Sequence, residues 1–291
     1  MKLVKFLGFI LVSAVCVTAA SAMGAKDAGG IRNDITVISR ESGSGTRGAF
    51  IELFGVEVKN AAGKKVDMTA DTADITNSTE VVLTSVAENS SAVGYISLGS
   101  LNSTVKALKI DGAAATVANI RNGSYRISRP FNIVTRSDLS NAAKEFYRYI
   151  LSADGQAVIE KNGYIAAVKN PAYMVNVKTG KVTVAGSSSV FPVMEKLAEA
   201  FKAADPGVTV EVSQSDSTTG INSATQGVCD IGMASRALTD SEISKGVTGT
   251  KIALDGIAII VNKLNPAGNL SKEQVRKVFT GEITKWPELK Q

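Results

Sequence analysis

The stretch Ile38-Ser39-Arg40-Glu41-Ser42-Gly43-Ser44-Gly45-Thr46-Arg47 closes a β-branched run that starts at Ile35 and opens a helical pattern over 46–54. A guanidinium, two glycines and several hydroxyls therefore fall at a strand-to-helix turn. The first N–H groups of a helix have no intrahelical partner and carry partial positive charge, so such a turn suits an anion. Gly43 and Gly45 let backbone approach a ligand closely, Ser44 and Thr46 add hydroxyl donors, and Arg40 offers a two-pronged face. A Ser/Gly-rich turn is ordinarily only a turn with its cap. A second such unit changes the weighing: a strand over 182–185, the turn Gly186-Ser187-Ser188-Ser189, and a helix over 191–204. In that helix Phe191, Met194, Leu197, Ala198 and Phe201 share one face, and Pro192 suits its first turn.

Two more polar turns lie nearby. Ser215-Asp216-Ser217-Thr218-Thr219-Gly220 follows an expected strand at 208–212, and Met233-Ala234-Ser235-Arg236 ends one at 231–234. In open α/β sheets ligands bind beyond the carboxyl ends of strands, where all four turns are expected. Strands are also expected at 92–98, 105–110, 129–134 and 252–261. Helices are expected at 78–89, 140–152, 153–161, 220–226, 240–245 and 272–279. Thr239 with Glu242 and Ser271 with Gln274 have capping-box spacing. The alternation specifies the α/β class with largely parallel sheets.

The chain has 291 residues, a formal charge of +5 and no histidine. Without histidine there is no Ser-His-Asp triad, Cys-His pair or His-ligated zinc. The serines fit no G-x-S-x-G elbow, and no P-loop or metal-ligand cluster stands out, so no cofactor, metal or catalytic residue is expected. A phosphatase acting through Ser44 or a carboxylate is the enzymatic reading left. The basic excess is unclustered, which argues against nucleic acid. Lys2 and Lys5, an apolar run over 6–17 and Ala20-Ser21-Ala22 have the order of a secretory signal over 1–22, cleaved after Ala22. Past that point Cys229 is the one cysteine, in a setting that reads as packed and inert.

These motifs resemble the phosphate-binding proteins of bacterial ABC importers. The likeness runs through Arg40 to Thr46, Val184 to Pro192, Asp230 to Arg236, Gly256 to Asn262 and Leu270 to Trp286, with Arg129-Pro130-Phe131 and Leu151 to Gln156 completing it. The resemblance implies a two-lobed type II periplasmic binding protein fold, each lobe a mainly parallel sheet flanked by helices, with the ligand cleft between lobes. It implies capture of inorganic phosphate in the periplasm, delivery to the importer's membrane subunits and a monomer. The implied contacts are Arg40, Ser44, Gly45 and Thr46 from one lobe and Ser188, Ser189 and Ser217 from the other, and Arg236 is counted with them as a ligand-binding positive charge.

The order of the motifs departs from the family's. The segment resembling 182–286 usually comes first and that resembling 35–167 second, so the chain reads as circularly permuted or as a truncated tandem copy. One lobe would be 23–126 plus 256–291, built from both chain ends, and the other 127–255. The segments 129–134 and 256–261 look like the crossings. Arg236 departs too: many members carry there an aspartate that accepts the proton phosphate has and sulfate lacks, whereas a variant branch carries Ser-Arg, as here. Arginine accepts no hydrogen bond. Glu41 or Asp216 then supplies the acceptor, or phosphate and sulfate are poorly distinguished. Sulfate, molybdate or a sensory or surface role on the same fold are the alternative readings.

Overall fold

Strand and helix alternate along the residues the computed structural model describes, 33–176 and 179–289. The expected leader at 1–22 lies outside them. The first part runs β1 (Thr36–Arg40), α1 (Gly45–Phe54), β2 (Glu57–Lys59), β3 (Lys65–Asp67), β4 (Asp74–Thr76), α2 (Thr79–Glu88), β5 (Ala92–Ser97), β6 (Val105–Ala107), β7 (Lys109–Ile110) and α3 (Val117–Arg121). Next come β8 (Ser128–Thr135), α4 (Asn141–Leu151), α5 (Ala153–Lys161), β9 (Ile165–Ala166), β10 (Gly180–Ser187), α6 (Phe191–Ala204) and β11 (Val208–Ser215). The last part is α7 (Ser217–Gln226), β12 (Ile231–Ala234), α8 (Asp240–Ile243), β13 (Thr248–Asn262), β14 (Asn269–Leu270) and α9 (Lys272–Phe279).

The main sheet runs β11-β10-β12-β8-β13-β5-β1-β4, with β6 and β9 also on β13. Its two wings are parallel, β11 to β12 on one side and β5 to β4 on the other. The middle is antiparallel, because β8 and β13 run between the wings. β13 is continuous over fifteen residues. Its first part pairs with β8 as far as Gly256↔Ser128, and its second pairs with β5 from Ile257↔Ser97. The expected strand at 252–261 is thus longer, since it pairs first with β8 and then with β5.

Two apolar cores flank that change of partner. One is assembled from 37–127 and 257–289, the other from 131–253. In the first, Phe50 stacks on Tyr95 at 4.0 Å and 7°, with Phe279 against both rings. In the second, Met194, Leu197 and Phe201 of α6 are buried, as the 3.6-residue spacing demands. Removing a fully buried ring such as Phe50 or Phe201 would cost about 3–5 kcal/mol. Both capping boxes form, at Thr239/Glu242 and Ser271/Gln274. α7 starts at Ser217, three residues before the expected 220, because Asp216 caps it. Cys229 is buried, and burial pushes its thiol up to about 11, which keeps it protonated and unreactive.

Candidate functional site

Four helices begin at one place. β1 delivers Arg40 to the turn before α1, where Ser44 caps the helix by accepting from Arg47 N–H at 3.3 Å. β4 leads through the cap Ser78 into α2, whose first residue, Thr79, is buried. β10 leads through Ser188 and Ser189 into α6, and β11 leads through the cap Asp216 into α7, whose first residue is Ser217. α1 and α2 carry side chains of the first core; α6 and α7 pack on β10 and β11 of the other wing.

The side chains meet across the two cores. Arg40 Nη2 donates to Ser188 Oγ at 3.0 Å, and Arg40 Nη1 reaches Thr79 Oγ1 at 3.4 Å. Thr46 Oγ1 and Ser189 Oγ are 2.6 Å apart, and Thr79 Oγ1 lies 3.3 Å from Ser189 Oγ. Ser217 Oγ accepts from Ser235 N–H at 3.0 Å. A Cβ on Gly45 would stand 2.4 Å from Ser217 Oγ and 2.7 Å from Ser235 Oγ, so only glycine admits this approach. Thr218 N–H and Oγ1–H both donate to Gly43 O, a backbone tie between the α1 turn and α7.

The electrostatics follow from these positions. Glu41 faces Arg40 in a two-pronged pair, accepting from Nε at 2.8 Å and Nη2 at 2.7 Å. Each helix N-terminus adds roughly half a positive charge, so the four outweigh the neutral ion pair. Arg40 is held from behind: its N–H donates to Tyr95 OH at 3.1 Å, and Ser39 Oγ shares that hydroxyl at 2.8 Å. Arg47 turns away, with Nε on Asp67 and Nη1 donating to the Arg40 carbonyl. A cleft of about 340 Å³ lined by Glu41, Asn77, Ser78, Ser188 and Asp216 opens beside the hydroxyls.

Of the residues expected from sequence, Arg40, Thr46, Ser188 and Ser189 are joined directly by hydrogen bonds. Gly45 and Ser217 adjoin each other, and Ser44 sits at the α1 cap. Arg236 stands apart from the hydroxyls. Its guanidinium forms a two-pronged pair with Glu242, both contacts at 2.8 Å, and donates to Thr218 Oγ1 at 3.2 Å. Burial would raise Glu242, but Arg236 and the Thr239 N–H outweigh it and hold the carboxyl below its usual range. Asp216 is committed to the cap, taking Thr219 N–H on Oδ1 and Thr219 Oγ1–H on Oδ2. Sequence reading missed Thr79 and Ser235. Thr79 was detectable as the residue after a cap-like Asn77-Ser78, and Ser235 as the partner of Arg236 at the β12 end. Among the described residues no group of three or more Cys, Asp or Glu could hold a metal ion.

A family model described as the PBP superfamily domain matches residues 22–154 and 175–291. The chain belongs to the PBP superfamily. Relatives agree with that membership. A phosphate-binding protein PstS 2 of Streptococcus agalactiae is 59% identical over 259 residues, 89% of this chain and 88% of that one. A phosphate-binding protein PstS 2 of Streptococcus pneumoniae is 45% identical over 284 residues, 97% of this chain and 95% of that one. The crystal structure of a phosphate-binding protein of a phosphate ABC transporter from Streptococcus pneumoniae matches with a TM-score of 0.69 and 46% identity, covering 88% of this chain and all of the other. The PBP-superfamily fold is two-lobed and α/β in class; the strand–helix alternation had given the class and the family resemblance the two lobes.

Proposed function

We propose that this PBP-superfamily chain binds inorganic phosphate between the starts of α1 and α2 on one lobe and α6 and α7 on the other, and delivers it to an ABC importer. The convergence of four helix N-termini, with Arg40 and the hydroxyls of Thr46, Thr79, Ser188 and Ser189, carries this reading. N–H groups, hydroxyls and one guanidinium replace the ion's water, and contacts drawn from both lobes favour the closed cleft. Ser44, Gly45 and Ser217 complete the contact set, with Arg236 outside it and its charge offset by Glu242. The chain does no chemistry on its ligand, and no nucleic acid or cofactor enters.

The lobes in this reading are 23–126 plus 256–291 and 127–255, a division supported by the two apolar cores. In this reading the motif order is a circular permutation of the family's usual one, with a truncated tandem copy as the alternative. In this reading residues 1–22 are a cleaved export signal, and the mature protein works in the periplasm as a monomer. Among the described residues no helix is long and apolar enough to cross a membrane.

Isothermal titration of residues 23–291 with phosphate, then sulfate, tests this. The expected result is one-to-one phosphate binding at about 1 μM or tighter, near −8 kcal/mol. Sulfate binding within tenfold of phosphate would make the protein a general oxyanion carrier, and silence with both would sink the proposal.

A further inference from the structure

Four buried side-chain polar atoms have no hydrogen-bond partner among the described residues: Ser97 Oγ, Ser100 Oγ, Arg129 Nη1 and Tyr164 OH. They belong to one group. Arg129 and Asp255 are cross-strand partners on β8 and β13, with Nη2 and Nε at 3.2 and 3.4 Å from Oδ2. Asp255 Oδ1 accepts from Gly99 N–H at 3.4 Å. Tyr164 packs on Phe131 and presses on Gly99, where a Cβ would fall 2.2 Å from the ring and 2.4 Å from the hydroxyl. The Ser97 hydroxyl is near enough to favour the charged form of Asp255, and both serines act in the same sense on Tyr164.

Its place in the fold gives it meaning. Asp255 stands two residues before Ile257, where β13 changes partner from β8 to β5. Ser97, Gly99 and Ser100 lie on the first core's side of that change, and Arg129 and Tyr164 on the second's. Leaving four polar atoms unpaired in a nearly fully buried place is costly, and native proteins ordinarily satisfy such groups with ordered water. The chemistry selects water over an ion. Asp255 repels an anion and Arg129 repels a cation, whereas three hydroxyls and a guanidinium suit a small neutral group that both donates and accepts.

We infer that Ser97, Ser100, Arg129 and Tyr164 hold internal water beside Asp255, and that this water joins the two cores at the crossing of β13. Water held from both sides makes and breaks bonds at little cost as one core turns on the other, which direct side-chain pairs would resist. The inference stands whichever ligand the cleft takes.

A crystal structure of residues 23–291 at about 1.5 Å tests the site. At least one water within ~3.2 Å of two or more of the four atoms is expected. Amide exchange by NMR tests the joint in Tyr164→Phe and, separately, Ser100→Ala. Exchange at Gly99 and Ile257, whose N–H donates to Ile127 O, should rise by about tenfold while amides of α6 stay unchanged. A dry group whose hydroxyls bond one another directly would overturn the inference. So would ordered water with exchange unchanged in both variants, since the water would then join nothing.

Discussion

Replacing Arg40 by methionine removes the guanidinium that, among the described residues, touches the hydroxyl cluster. Arg40 is 2% exposed and its fork is divided among Glu41, Thr79 and Ser188. Two losses add. A charge-assisted hydrogen bond to an anion stabilises by about 1.5–3 kcal/mol. In addition, Glu41 keeps its charge beside the bound anion with nothing to offset it. At roughly 5 Å and an effective dielectric of about 20, a unit repulsion is ~3 kcal/mol, to be discounted because Glu41 is partly exposed. The expected total is about 3–5 kcal/mol, a loss of roughly 150- to 4,000-fold in phosphate affinity. The double variant Arg40→Met/Glu41→Gln removes the repulsion as well and should recover about 1–2 kcal/mol of that loss. Titration calorimetry of the four proteins in the cycle measures both quantities, with urea midpoints checking that each is folded. A loss under tenfold for Arg40→Met would refute the placement of the anion. An unchanged or weaker affinity on adding Glu41→Gln would refute the assignment of Glu41 as the partner that neutralises Arg40.

Arg236→Met should weaken phosphate binding less than tenfold, because Glu242 already offsets its charge; calorimetry giving a loss as large as that for Arg40→Met would put Arg236 in contact with the ion. Gly45→Ala should weaken binding by at least about tenfold with a far smaller change in urea midpoint, since the added methyl meets Ser217 and Ser235 across the cleft. Burial pushes Asp255 up to about 6, against the pull of Arg129, from 3.8 in the unfolded chain. Between those values the folded state binds more protons, so this group's contribution to stability is full at low pH and is lost as pH rises through about 6. Relative to Asp255→Asn, wild type should lose about 2 kcal/mol of unfolding free energy between pH 4.5 and 7.5. Urea titrations of both proteins that shift in parallel across that range would contradict it.

How far the sequence carries depends on what each residue must do alone. The bounds of β12, α6 and α9 follow from local pattern: a short fully buried run, a 3.6-residue apolar face and a capping box. β2, β3 and β4 are three residues each and largely polar, so neither length nor alternation marks them. β13 lengthens because it pairs with β8 along its first part and with β5 along its second, a demand that exists only in the assembled sheet. The cluster's serines and threonines were readable because helix starts advertise themselves. Thr79 escaped because the strand before it is so short. Arg236 was readable as a charge at a strand end, but its commitment to Glu242 depends on where α8 sets that carboxylate. The buried polar group around Asp255 left no local trace, since its members come from four separate segments.

The composition of the two cores also bears on how the chain assembles as it emerges. The second core closes on itself once residue 253 is available, whereas the first needs 257–289 to complete what 37–127 begin. Domains fold as units once their parts are present. The later-made core therefore finishes first, as an insert within an unfinished one. Until α9 arrives, Phe50 and Tyr95 lack the Phe279 ring that packs against both. During that interval the apolar surface of 37–127 is exposed, which makes the N-terminal third the part of the newborn chain most in need of a chaperone.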